Sequence, residues 1–243
     1  MPGFYRRRRY TARRSIGRRP KRAQRSTARR SLARRARRPS LFKNPIPLSR
    51  YIKFKFADTA YELTPPGTGI YVATRVFRGN SLYDPDHTGI GVQPYGYDQL
   101  TGSGGIFSHY CVYSSNIRIH IVPSSTSVTG IKFHVIPSRN STILSTDPAD
   151  LRQMPYCKTI CWSGGDGSRK SNISNYCSSR RMYSTVTPEN ETFTAAYNAN
   201  PYSQWYWHVI LDEETLSGTT PVRFDVEIIY YAKMLRTNYL DES

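Results

Sequence analysis

From Tyr51 onward, apolar and polar side chains alternate with a period of two in one stretch after another. Ile52, Phe54 and Phe56 alternate with Tyr51, Lys53 and Lys55. Ile117, Ile119 and Ile121 alternate with Arg118 and His120, and Ile131, Phe133 and Val135 with Lys132 and His134. Trp205, Trp207, Val209 and Leu211 oppose Tyr206 and His208; Val222, Phe224, Val226, Ile228 and Tyr230 oppose Arg223, Asp225 and Glu227. Successive side chains of a strand point to opposite faces, so each stretch predicts a strand with one core face and one polar or contact face. Gly69–Arg78 and Tyr156–Trp162 are weaker strand candidates, and Trp205-Tyr206-Trp207 reads as strand core in preference to a base-stacking platform. One short helix is expected, with Asp147 ahead of it, Pro148 at its first position and Ala149–Gln153 following. The connections Gly79–Gly105 and Ser163–Ser184 are long, and tight hairpin chemistry is rare. Together these features predict an all-β fold, an eight-stranded jelly-roll sandwich rather than a meander.

Charge divides the chain in two. Of its 243 residues, 35 are Lys or Arg and 17 Asp or Glu, a formal net charge of +18. Residues 1–43 hold 18 of those cations, 16 of them Arg, and no acid; the first carboxylate is Asp58. The remaining 17 basic and 17 acidic groups leave residues 44–243 with no net charge. We therefore expect an arginine arm with the start of a linker at 1–43 and a folded body at 44–243, joined through the turn-rich stretch Pro39–Pro47. Densely packed like charges with almost nothing to bury predict a disordered arm.

Arginine outnumbers lysine in the arm by about eight to one, and its planar fork binds phosphate oxygens bidentately and stacks on bases. The expected nucleic-acid contacts are Arg6, Arg7, Arg8, Arg9, Arg13, Arg14, Arg18, Arg19, Lys21, Arg22, Arg25, Arg29, Arg30, Arg34, Arg35, Arg37 and Arg38. If all the arm's cations met single-strand phosphates, log K would fall against log salt with a slope of up to about −13. The run Arg18, Arg19, Pro20, Lys21, Arg22 also reads as a nuclear import signal. An organellar transit peptide shares the arginine and serine bias, but aliphatic residues are too sparse here for an amphipathic helix.

Catalytic motifs are absent from the sequence: there is no G-x-S-x-G and no H-E-x-x-H. The stretch GGDGSRKS at 164–171 lacks the glycine that a phosphate loop places before its lysine. Tyr230 and Lys233 share the Tyr-x-x-Lys spacing of replication endonucleases, but no His-hydrophobic-His pair accompanies them, and the end of a strand is the simpler role. No metal or other cofactor is expected. Cys157, Cys161 and Cys177 lack zinc spacing. Asp84, Asp86 and Gly89 imitate half of a calcium loop whose twelfth position is Tyr95 instead of Glu. Four cysteines without a signal peptide suggest reduced thiols in an intracellular compartment, and the sequons at Asn140, Asn172 and Asn190 read as chance. The apolar run Ile228–Ala232 falls far short of the ~20 residues of a membrane span, so no membrane insertion is expected.

Residues 77–99, FRGNSLYDPDHTGIGVQPYGYDQ, and 107–122, FSHYCVYSSNIRIHIV, resemble the capsid proteins of circular, Rep-encoding single-stranded DNA viruses, the circovirus-like group. LSRYIKFKF at 48–56 and VRFDVEIIYYAKML at 222–235 are similar to the first and last strands of those capsids. The resemblance implies a single jelly roll, sixty copies closing into the simplest icosahedral shell (T=1), arms directed inward to a circular single-stranded DNA genome, and import receptors of the host nucleus as partners. It further implies a virion protein that visits the host cell nucleus during assembly, is not an enzyme, and meets a cell-surface receptor that the sequence does not name. Sixty such arms could neutralise roughly a thousand phosphates. The Gly- and Pro-rich segment after Arg78 is stiff and aromatic, which suits a subunit contact through Tyr83, Asp84, Asp86, Tyr95 and Tyr97. Two other readings fit the same arm and sandwich: the coat of a small RNA or satellite virus, and a cellular nucleic-acid-binding protein with a basic tail.

Overall fold

Among the described residues, nine strands form, all paired antiparallel: β1 (Ser49–Leu63), β2 (Val72–Arg78), β3 (His109–Val122), β4 (Ile131–Ser138), β5 (Lys158–Trp162), β6 (Asn172–Ser178), β7 (Thr194–Ala196), β8 (Tyr206–Glu213) and β9 (Val222–Leu235). The computed structural model describes residues 48–64, 72–89, 92–102, 104–122, 131–142, 144–162, 171–184, 190–213 and 221–235. The expected arm, its linker Pro39–Pro47 and residues 164–170 of the basic loop lie outside these residues. One sheet has the order β1-β9-β3-β6, with β7 also on β3; the other has the order β2-β8-β4-β5. With β7 set aside, the ladders nest: first strand with last, second with next-to-last, then β3 with β6 and β4 with β5. That nesting is a long antiparallel ribbon rolled on itself. The fold is the eight-stranded jelly roll that the alternation predicts, with β7 as a short addition.

Alternation along β9 explains the core. Val222, Phe224, Val226, Ile228, Tyr230, Ala232 and Met234 are all buried, facing Trp205, Trp207, Val209 and Leu211 from the other sheet. In β1 the pattern would fail after Asp58, but an extra residue bulges between Asp58 and Tyr61, with Ala60 at φ 64°. A bulge shifts the phase of a strand by one. Tyr61 therefore turns inward like Phe54 and Phe56, stacking on Phe224 at 5.5 Å between ring centroids.

The two tryptophans are fastened by polar bonds within the apolar layer. Trp207 Nε1 donates to Ser115 Oγ at 2.9 Å, and that hydroxyl donates to Gly79 O at 2.7 Å. Trp205 Nε1 donates to Ser179 Oγ at 3.1 Å, which donates onward to Val112 O at 2.9 Å. Gly79 is required where it stands, since a Cβ there would lie 2.2 Å from the Trp205 ring.

Several connections differ from expectation. Ser163–Ser184 is not one loop, because it contains β6 and the helix Ser179–Tyr183. Only Ile173, Asn175 and Cys177 of β6 face inward, and the polar Asn175 hides the alternation. Its buried Nδ2 donates to Val135 O at 2.9 Å and Tyr156 O at 2.8 Å, which makes the residue tolerable there. The expected helix forms as Pro148–Gln153, with Asp147 Oδ1 accepting from the Ala149 N–H at 2.7 Å. It also covers the outer face of the second sheet. Val72, Ile136 and Ile210 pack there against Leu151, and His134 and His208 are buried instead of facing water.

We expect Ser115→Ala to lower the body's stability by roughly 2–4 kcal/mol in urea unfolding, because it orphans both Trp207 Nε1 and Gly79 O. Ser174→Ala, on the exposed side of β6, should fall within about 0.5 kcal/mol of wild type.

Candidate subunit and nucleic-acid interfaces

The arm positions named from the sequence, Arg6 through Arg38 and the import element Arg18–Arg22, lie outside the described residues. Their chemistry is joined covalently to Ser49, where β1 begins.

The segment following β2 is clamped by two arginines of that strand. Arg78 Nε donates to Gln204 Oε1 at 2.9 Å, while its Nη1 donates to Asp84 O at 3.0 Å and to the Asp84 carboxylate. Arg75 binds the Asp86 carboxylate and lies over the Tyr61 ring at 4.7 Å. Asp86 Oδ1 also accepts from the Thr88 N–H and hydroxyl, each at 3.1 Å. The Tyr61 hydroxyl sits 2.7 Å from Asp58 Oδ2 and 3.0 Å from Asp86 Oδ2. Burial, followed by those two carboxylates, raises its pKa well above the ordinary tyrosine value. The Phe77↔Asp86 bridge completes the clamp.

This geometry corrects three expected contact residues. Asp86 is 4% exposed and saturated from within. Asp84 Oδ2 pairs with Arg78, and its Oδ1 is buried. Tyr97 is fully buried at the start of the short helix Tyr97–Leu100, its ring against Phe54 and Tyr110 and its hydroxyl donating to Tyr197 O at 2.9 Å. Both aspartates are thus engaged by guanidinium groups of β2. Among the described residues, Tyr83 is 37%, Tyr95 91% and Val92 54% exposed; Tyr202, at 89%, was not anticipated. No pattern marks Tyr202, a lone aromatic in a turn.

No cysteine is in a disulfide, and burial pushes the Cys177 thiol up to about 11. Among the described residues, no three His, Cys, Asp or Glu side chains gather as metal ligands, and no helix is long and apolar enough to cross a membrane. Tyr230 and Lys233 stand on opposite faces of β9: the Tyr230 hydroxyl donates to Arg78 O at 2.8 Å inside the core, and Lys233 lies over the Tyr51 ring outside it.

The pKa values of the two buried histidines are pushed in opposite directions. His134 has Nδ1 2.8 Å from Thr159 Oγ1 and Nε2 3.4 Å from Asp212 Oδ2, with Arg152 3.8 Å from the same oxygen. Burial disfavours its imidazolium, but the bonds and charges of Asp212 and Cys157 outweigh that and raise its pKa. His208 Nε2 lies 2.7 Å from Asn140 O, and its Nδ1 has no partner. Burial lowers its pKa against the pull of the Asn140 bond.

No protein-family model matches the chain, and no curated protein matches it. Solved virus structures do align with it. The decameric BFDV capsid protein aligns at 9% identity and a TM-score of 0.44, over 76% of this chain and 99% of that chain. The Macrobrachium rosenbergii nodavirus semi-empty VLP aligns at 8% identity and 0.45, over 82% and 100%. Cocksfoot mottle virus aligns at 11% and 0.46, over 79% and 96%. The jelly-roll assignment rests on the strand order, not on these scores.

In an NMR titration of the imidazole resonances, His134 should titrate above about 6.5 and His208 below it. Asp212→Asn should bring the His134 midpoint down. By linkage, the stability His134 contributes is complete below about 6.5 and is lost as pH rises through its raised folded-state pKa.

Proposed function

We propose that this protein is a viral capsid protein whose jelly-roll body builds a small icosahedral shell and whose N-terminal arginines package single-stranded DNA. The observation that carries the reading is the union, in one chain, of a charge-balanced jelly roll with an acid-free arginine arm leading into its first strand. A body without net charge can close on copies of itself without accumulating repulsion, while the arm takes up the polymer's charge. Tyr83 and Tyr95, displayed on a segment locked by Arg75 and Arg78, lose little freedom on docking and suit contacts between subunits. The likeness of residues 77–99 and 107–122 to circovirus-like capsids favours a circular DNA genome, sixty subunits and passage through the host nucleus, with Arg18–Arg22 as the import element.

Electron microscopy of the purified chain should show discrete, nuclease-protected particles. Removing residues 1–38, which spares every described strand, should leave a folded body that takes up no nucleic acid. A chain that stays monomeric at high concentration, or arm-deleted particles with undiminished nucleic acid, would overturn the proposal. Contents degraded by RNase and not DNase after disassembly would point to an RNA-virus coat instead.

A further inference from the structure

The segment after β2 folds back along that strand before it leaves. The Arg78 N–H donates to Pro85 O at 2.7 Å, Phe77 bridges to Asp86, and the His87 N–H donates to Val76 O at 3.1 Å. His87 therefore stands beside Val76, whose partner across the β2-β8 ladder is His208. The His87 ring reaches over β2 to the ring of Tyr206, at 5.1 Å between centroids. Tyr206 and His208 share one face of β8, because side chains alternate along a strand. The two imidazoles are thus neighbours across a single strand, and a charge on His87 disfavours one on His208.

Their nitrogens give that proximity a consequence. His208 is fully buried, and its Nε2 lies 2.7 Å from Asn140 O. A carbonyl only accepts, so Nε2 carries the hydrogen and Nδ1 of the neutral ring is bare. That Nδ1 and the Nδ1 of His87 are both buried without a hydrogen-bond partner. Protonating either ring puts an N–H of a charged group where no acceptor meets it, which is costly.

The surrounding charges act in the same direction. Burial and then the Arg78 guanidinium disfavour the His87 imidazolium; Asp84 and Asp86 favour it, but they are engaged with Arg78 and Arg75. Burial and His87 disfavour the His208 imidazolium against the pull of the Asn140 bond. His134, on the next strand of the sheet, faces Asp212, Thr159 and Arg152.

We propose that His87 and His208 form an acid-sensitive latch, which holds residues 85–88 along β2 while both rings are neutral and releases them when the rings are protonated. Release hydrates both Nδ1 atoms and lets solvent screen the two charges from each other and from Arg78. The Arg75–Asp86 pair opposes release, so the histidines set where on the pH scale the balance tips. Both pKa values are depressed in the closed state. Closure is therefore complete above about 6.5, the ordinary histidine value, and weakens as pH falls through the lower closed-state values. The latch belongs to the single protomer and does not depend on the capsid reading.

Hydrogen exchange of the full chain, corrected for the intrinsic pH dependence of amide exchange, tests this without a variant. From about pH 7.5 to about pH 5, protection of the His87 and Thr88 amides should fall about tenfold or more, while amides inside β9 keep theirs. The His87 and His208 imidazole resonances should titrate over the range in which that protection is lost. His87→Gln, which stays neutral at a half-buried position, should shrink the loss at least about threefold. Unchanged protection in wild type, an equal loss throughout β9, titration of both imidazoles above about 6.5, or a full response in His87→Gln would each overturn the proposal.

Discussion

The pairing of β1 with β9 is the constraint from which the remaining architecture follows. It joins Ser49 to Leu235 and runs to Leu63 and Val222, so the first strand of the body is stitched to the last. β9 then lies between β1 and β3 at the centre of its sheet, and the other strand pairs must nest inside that outermost rung. Register is guarded by burial, because a slip by one residue would turn Phe224, Ile228 and Tyr230 into water and bring Arg223 and Glu227 into the core. Where the β1 sequence loses phase, the bulge at Asp58–Tyr61 restores it, so that Tyr61 closes the apolar layer.

Strong alternation made most of this legible from the sequence. β9, β3, β4 and the tryptophan strand β8 stand where the pattern puts them, and Asp147-Pro148 marks its helix because a capping carboxylate and a proline have few other local uses. What escaped was whatever depends on partners distant in sequence. β6 carries Asn175 at a core position, and only the carbonyls of Val135 and Tyr156 make that acceptable. His134 and His208 look like solvent-facing residues until the segment carrying Leu151 is laid over them.

The segment after β2 shows the same division. A Gly- and Pro-rich stretch with two aspartates can be read as a stiff loop, and in the structure it is fastened to β2. The sequence could not reveal that the stiffness comes from those aspartates themselves, each bound to an arginine of β2. Residues that looked like contacts are the fasteners, and the tyrosines between and beyond them are what they hold out. Polar groups serving inside the protomer and aromatic groups left outside is a division that a linear reading tends to invert.

Because β1 is both the edge of its sheet and the element into which the arm leads, the chain's attachment point has a mechanical character. A pull on Ser49 along the strand axis loads every rung between β1 and β9 in parallel, as shear, whereas a pull across the sheet would peel the rungs open one at a time. The joint is therefore strong in one direction and weak in the other, and the angle at which the leading segment leaves β1 decides which of the two the sheet experiences.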